Sequence, residues 1–201
     1  MRLLLERQAE NLLEKEGFNV NNREYIKSRK EIEKIKLKYP LAMKVISKKA
    51  IHKAKVGGVV LNIKNKKEAE KNFDKLREIK GFEGVNVQEM TKGKFMILGL
   101  KKTEEFGLVM MFGEGGIEVE EKRDISFRVC PVNEKDADEM IKEIKFYKKI
   151  KKKANLKLIK MNLLKLSKFA EKHPKINELD INPLIVNKDD AVIVDARAVI
   201  N

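Results

Sequence analysis

The stretch Glu178–Ala196, ELDINPLIVNKDDAVIVDA, decides how the chain is read. ELDINPLIV has the alternation of a strand, NKDD the composition of a turn, and AVIVDA the pattern of the returning strand. Pairing Val186 with Ala191 sets Asn182 directly opposite Asp195, with Asp180 two residues further along the same face. Cross-strand neighbours on one face hold their Cβ atoms about 4.5–5.5 Å apart. An amide oxygen and a carboxylate at that separation suit a hard cation such as Mg²⁺, which takes one or two protein oxygens and fills its octahedron with water and phosphate. Asn182 and Asp195 are therefore the candidate metal ligands. Pro183 has no N–H to give a ladder, so the strand is expected at an edge or bulged there. The same pattern also fits a polar hairpin face wetted by solvent.

Working outward, the chain of 201 residues is long enough for one substantial core or two small lobes. It carries 45 Lys+Arg against 31 Asp+Glu, a formal charge of +14. That sign admits nucleic acid, a membrane surface or small anionic ligands. The charge is interleaved with Glu, as in EIEKIKLK and KKEAEKNFDKLREIK, which favours a solvated surface. One local run, Lys148, Lys149 and Lys151 to Lys153, is a candidate phosphate-attracting patch. Aromatics are not interleaved with the lysines, which argues against a base-stacking platform and a nucleic-acid partner. The scarcity of Gln beside abundant Lys, Glu and Ile suits a thermophile.

A lone Cys130 excludes an internal disulfide and fits a reducing, cytoplasmic setting; ahead of Pro131 in an apolar run it reads as a small core residue. No apolar stretch approaches the roughly 20 residues of a membrane span, and the N-terminus lacks a signal-peptide pattern.

Leu4, Leu5, Ala9, Leu12 and Leu13 recur at helical spacing before Gly17, predicting an opening helix. A second helix is expected over Arg29 to Lys38, one capped by Asn65 running to Lys80, and others over Glu134 to Lys145 and Leu163 to Glu171. LAMKVIS, VVLNI, GVNVQEM, KFMILGL, GLVMMFG and DISFRV read as strands. The polar, glycine-bearing SKKAIHKAKVGG between the first two is a loop. Consecutive strands in the second half point to an α+β fold.

The series LAMKVIS, IHKAKVGGVVLNI, VQEM, FGLVMMFGEGGIEVE, DISFR, LDINPLIV and VDAR, in this order and at similar separations, resembles the β subunit of ADP-forming acetyl-CoA synthetases, acyl-CoA ligases of the ATP-grasp superfamily. The resemblance implies two α/β subdomains with nucleotide between them: an N-terminal subdomain over residues 21–86, including a phosphate-shuttling loop at 47–58, and a C-terminal one over 1–20 and 87–201. It implies ATP made from ADP, with Mg²⁺, while a separate CoA-binding α subunit cleaves an acyl-CoA thioester. Lys44 matches the lysine that reaches nucleotide phosphates. His52 matches the phosphate-accepting histidine of the HK-x-x-VGG loop, with Gly57 and Gly58 giving that loop freedom. Gln88, Glu89 and Met90 match the adenine-gripping strand end. Asn182 and Asp195 match the magnesium ligands, and Asp180 the acid that faces the incoming phosphohistidine. Without the motifs, Lys44 would read as an exposed strand lysine and His52 as a surface residue. Gly115 and Gly116 allow close approach to a partner or ligand, and Arg128 suits a phosphate or a neighbouring carboxylate.

The chain departs from the family at Ala54 and Lys55, where a hydroxyl and an acid are usual, at Phe95 in place of Glu, at Thr103-Glu104 in place of Asp-Pro, and in lacking the Arg-Gly end of the LLKGxRG segment. These departures keep a second reading open, a degenerate ATP-grasp subunit that binds nucleotide or scaffolds a partner without full catalysis.

Overall fold

The computed structural model describes residues 1–47, 49, 53–116 and 124–201, and divides them into two compact units, Met1–Val20 with Lys92–Asn201, and Asn21–Thr91. The division falls at Thr91/Lys92, later than the boundary expected at 86/87. The reason is local: strand β5 (Phe82–Glu89) keeps pairing with β3 (Leu41–Ser47) as far as Glu89, so its end belongs with its sheet.

The smaller unit is a four-stranded antiparallel sheet in the order β2-β5-β3-β4, with β2 at Arg23–Ile26 and β4 at Val59–Ile63. Helix α2 (Lys66–Arg77) covers one face. Asn65 starts the helix by accepting the Glu68 N–H at 2.9 Å. Ala69, Phe73 and Leu76 then recur at helical spacing and bury against Leu41, Met43, Val45, Val85 and Val87. The expected helix over Arg29 to Lys38 is only a 3-10 segment, Arg29–Lys34. Beyond it the amides of Lys36 and Lys38 donate to the Glu24 and Glu89 carboxylates, at 2.8 and 2.9 Å, so the helical ladder is not continued.

In the larger unit α1 (Glu6–Lys15) follows a short strand β1 (Arg2–Leu4). The described sheet runs β1-β11-β9-β6-β7-β8, with β10 also pairing β9. Its members are β6 (Lys94–Thr103), β7 (Gly107–Glu114), β8 (Ile125–Val129), β9 (Ile176–Val186), β10 (Ala191–Ile193) and β11 (Ala196–Ile200). Helices α3 (Glu134–Glu143), α4 (Tyr147–Lys153) and α5 (Leu156–Lys172) supply Met140, Ile150, Leu163 and Leu166 to its core. Helix α5 begins a full two turns before the expected Leu163, because Asn155 accepts from the Lys157 and Leu158 amides. Helix α4 holds the lysine run: Ile150 is buried and the lysines around it are exposed.

Phe73 is fully buried and meets Phe82 edge-to-face at 5.7 Å. Phe73→Ala should lower unfolding stability by about 3–5 kcal/mol, read as a fall in the urea midpoint with unchanged slope. A loss below about 1 kcal/mol would show that α2 is not anchored through this ring.

Candidate functional site

The terminal hairpin has the register read from its sequence: Val186 pairs Ala191, Leu184 pairs Ile193 and Ile181 pairs Ala196. The alignment is continuous across the gap, so Asn182 lies opposite Asp195, and the Asn182 amide donates to the Asp195 carbonyl at 3.1 Å. Strand β9 is interior, not an edge, since β6 runs along its other side. The bulge expected at Pro183 is present on that side alone: Met96 pairs Leu184 and Leu98 pairs Ile181, leaving Ile97 to oppose both Asn182 and Pro183.

This extra residue reverses which alternate positions meet the core. Leu179 and Ile181 face it before the bulge, Leu184 and Val186 after it, and Ala191, Ile193 and then Ala196, Ala198 do the same on the return. Asp180, Asn182, Asp195 and Arg197 are left on the opposite face. There Asn182 Oδ1 accepts the Gly116 N–H at 2.9 Å, which fixes the amide while leaving its oxygen a second lone pair. Gly116 reaches it with φ +111°, and Gly115 donates to the Phe95 carbonyl at 2.8 Å. A Cβ on Gly115 would come within 2.5 Å of Met96 backbone, so the GEGG turn needs glycine there to lie on β6.

Asp180 Oδ2 meets Arg197 Nε at 3.2 Å, and its other oxygen is buried without a hydrogen bond. Burial pushes this carboxyl above its ordinary 3.8, Arg197 pulls it back, and Glu178 adds to the rise. Among the described residues no three His, Cys, Asp or Glu side chains gather as a metal cage. The hairpin instead offers one amide and one carboxylate oxygen. That hard, incomplete donor set suits a Mg²⁺ whose remaining ligands are water and phosphate.

In the smaller unit Lys44 is central, opposite Asn86 on β5 and Val59 on β4. Gln88 lies opposite Ala42 and Arg23, on the face away from the apolar core. Lys44 is 5% exposed and Asn86 and Gln88 are fully buried, so Lys44 is not the solvated lysine that its type suggests. An ammonium tolerates such burial only in polar company. Asn86, Arg23 and Arg197 were not singled out from sequence. The polar residues at alternate positions in VNVQ were the available sign for Asn86.

The Glu89 carboxylate accepts from the Lys38 amide at 2.9 Å and the Asn22 side chain at 3.3 Å. The Met90 amide donates to the Pro40 carbonyl at 3.1 Å. His52 lies outside the described residues. Downstream of it, Gly58 closes the loop, donating to the Lys53 carbonyl at 2.7 Å and accepting from the Val45 amide at 2.8 Å. A Cβ on Gly58 would stand 2.6 Å from Val45, so this glycine serves close packing and not loop freedom. Arg128 takes the carboxylate reading, pairing with Glu143 and, at 3.3 Å, with Glu139. Burial pushes the Cys130 thiol up to about 11, which keeps it protonated and unreactive near neutral pH. No helix among the described residues is long and apolar enough to cross a membrane.

With this geometry, the ATP-grasp domain model matches residues 1–200. The subunit β of acetate–CoA ligase [ADP-forming] I from Pyrococcus furiosus is 36% identical over 99% of this chain and 92% of its own length. The chain belongs to the ATP-grasp family and, within it, to the family of ADP-forming acetate–CoA ligase β subunits. Acetate–CoA ligase [ADP-forming] II of Archaeoglobus fulgidus is 39% identical over 98% of this chain, which spans only 30% of that relative. Among solved structures, the dinucleotide forming acetyl-coenzyme A synthetase 1 of Ca. Korarchaeum cryptofilum, in complex with coenzyme A, Ca-AMPCP and HgCl+, has a TM-score of 0.92 at 33% identity. That match covers 100% of this chain and 94% of the other.

The raised Asp180 carboxyl makes a pH prediction. The folded protein holds this proton more tightly than the unfolded chain, so the group's stabilisation is complete in acid and is lost as pH rises through the folded-state value. Asp180→Asn should therefore gain thermal stability relative to the parent as pH goes from about 3 to about 7. A difference in Tm that is flat, or that falls over this range, would contradict burial as the dominant cause.

Proposed function

We propose that this chain is the nucleotide-binding β subunit of an ADP-forming acyl-CoA (acetyl-CoA) synthetase, an acid–thiol ligase that works with a CoA-binding α subunit. The α partner converts acyl-CoA and phosphate to carboxylate and CoA, leaving the phosphoryl group on a histidine. A neutral ring nitrogen of His52 attacks that phosphorus, forming one N–P bond as the partner's breaks. A terminal phosphate oxygen of ADP then attacks in turn, and the N–P electron pair returns to the imidazole. ATP leaves, and His52 is restored.

The observation that carries this reading is the unbroken hairpin register that sets Asn182 opposite Asp195 with Asp180 on the same face. Asn182 and Asp195 would hold Mg²⁺, which when bound offsets the charge of the phosphate oxygens. Lys44 would supply a point charge to those phosphates. Asp180, held by Arg197, would orient the imidazole that carries phosphate. Adenine recognition rests with the strand end Gln88, Glu89 and Met90. There the engaged Met90 N–H and Glu89 carboxylate shift the weight to other groups of that segment. Calcium bound with AMPCP in the Korarchaeum relative supports a divalent ion with an adenine nucleotide.

The test is transfer of labelled phosphate from a phosphorylated α partner to ADP. His52→Ala should abolish it, and Asp195→Asn should lower it at least about tenfold with the loss restored in part by raised Mg²⁺. Transfer that survives His52→Ala unchanged would overturn the mechanism. No transfer by the parent chain, with nucleotide still bound, would favour the degenerate subunit motivated by Ala54, Lys55 and Phe95.

A further inference from the structure

The larger unit carries a cleft of about 610 Å³ that none of the residues assigned above lines. Gln8, Asn11, Leu12 and Lys15 form one wall; their spacing puts them on a single face of α1, away from the buried Ala9 and Leu13. The floor is apolar: Leu4 and Ile176 are buried in the core, and Leu12 and Ile200 pack against it. The rim is cationic. Arg2 from β1, Lys15 from α1, and Lys172 and Lys175 around the end of α5 all line the opening, and no described carboxylate does.

These cations differ in how they are occupied. Lys172 is bound to both Glu16 oxygens, at 2.9 and 2.7 Å, and His173 Nε2 lies 3.1 Å from the same carboxylate. His173 is further held against Phe169, with ring centroids 4.4 Å apart. Arg2, Lys15 and Lys175 have no ion pair among the described residues. The cleft thus joins an apolar floor and one fixed wall to three unneutralised positive side chains. Its volume is in the roughly 300–1,000 Å³ range of small-ligand sites.

We propose that this cleft binds an amphipathic anion, a small molecule with a hydrocarbon or aromatic body and a single carboxylate or phosphate head. Burial of the body on Leu4, Leu12, Ile176 and Ile200 supplies affinity, and Arg2, Lys15 and Lys175 select for the head. A neutral molecule of the same shape loses the second contribution, and a free inorganic anion loses the first. The inference is independent of the phosphoryl-transfer reading, so either can fail alone.

Isothermal titration of the full chain with decanoate, decyl phosphate, decanol and inorganic phosphate tests it, with the amphiphiles kept below their aggregation concentrations. One saturable site is expected for decanoate or decyl phosphate, with decanol and phosphate at least tenfold weaker. Lys15→Glu with Lys175→Glu should weaken the amphiphile at least tenfold, as should Leu12→Trp, which fills the floor. The matched charge change on α4, Lys148→Glu with Lys152→Glu, should leave affinity within twofold. Circular dichroism checks that each variant is folded, and Lys15→Arg with Lys175→Arg should keep binding. The proposal is overturned if decanol binds as well as the anions, if the α4 variant loses as much affinity, or if neither amphiphile saturates.

Discussion

The bulge at Asn182-Pro183 is the constraint on which the larger unit's chemistry depends. A strand alternates strictly, so without an extra residue the run from Leu179 to Val186 could not be apolar toward the core at both ends. By spending two residues against Ile97 alone, β9 keeps Leu179, Ile181, Leu184 and Val186 in the core. The hairpin partner stays in phase because the change occurs toward β6 and not toward β10 and β11. Polar side chains are consequently carried on the other face, Asp180 among them with Arg197 as its ion-pair partner.

The GEGG turn completes this face by bringing main chain to the Asn182 amide. Close approach at Gly115 and a positive φ at Gly116 are properties of glycine, so the turn and the bulge are matched parts of one surface. In the smaller unit a comparable effect comes from alternation alone. Val85 and Val87 face α2, while Asn86 and Gln88 share the opposite face with Lys44.

Much of this was legible in the sequence for identifiable reasons. Strand LAMKVIS and the hairpin register follow from local patterns that burial reinforces, and Asn65 announces α2 by its side-chain chemistry. The elements that escaped are those whose cause is distant. Strands β1 and β2 are short and gain their identity only from pairing with β11 and β5. The Arg29–Lys34 segment stops early because carboxylates of Glu24 and Glu89, remote in sequence, claim its next amides. Helix α4 is masked by its lysines, since within it only Ile150 is buried. At the site, residue types were readable and partners were not: Arg197 stands in the VDAR motif, but its hold on Asp180 requires the register.

The way the chain enters and leaves the smaller unit has an architectural consequence. Asn21 donates to the Glu89 carbonyl at 2.8 Å and meets Thr91 at 3.5 Å, so the two ends of the 21–91 segment are stitched together within that unit. In the larger unit the terminal hairpin receives both cut ends, Ile193 bonding to the Asn19 carbonyl at 2.8 Å and Asn187 to the Lys92 carbonyl at 3.1 Å. The smaller unit is thereby an insertion in sequence between two parts of the larger one, and each unit fastens its own chain ends. The two crossings of the chain, at 20/21 and 91/92, are therefore each fixed by hydrogen bonds that stay inside one unit.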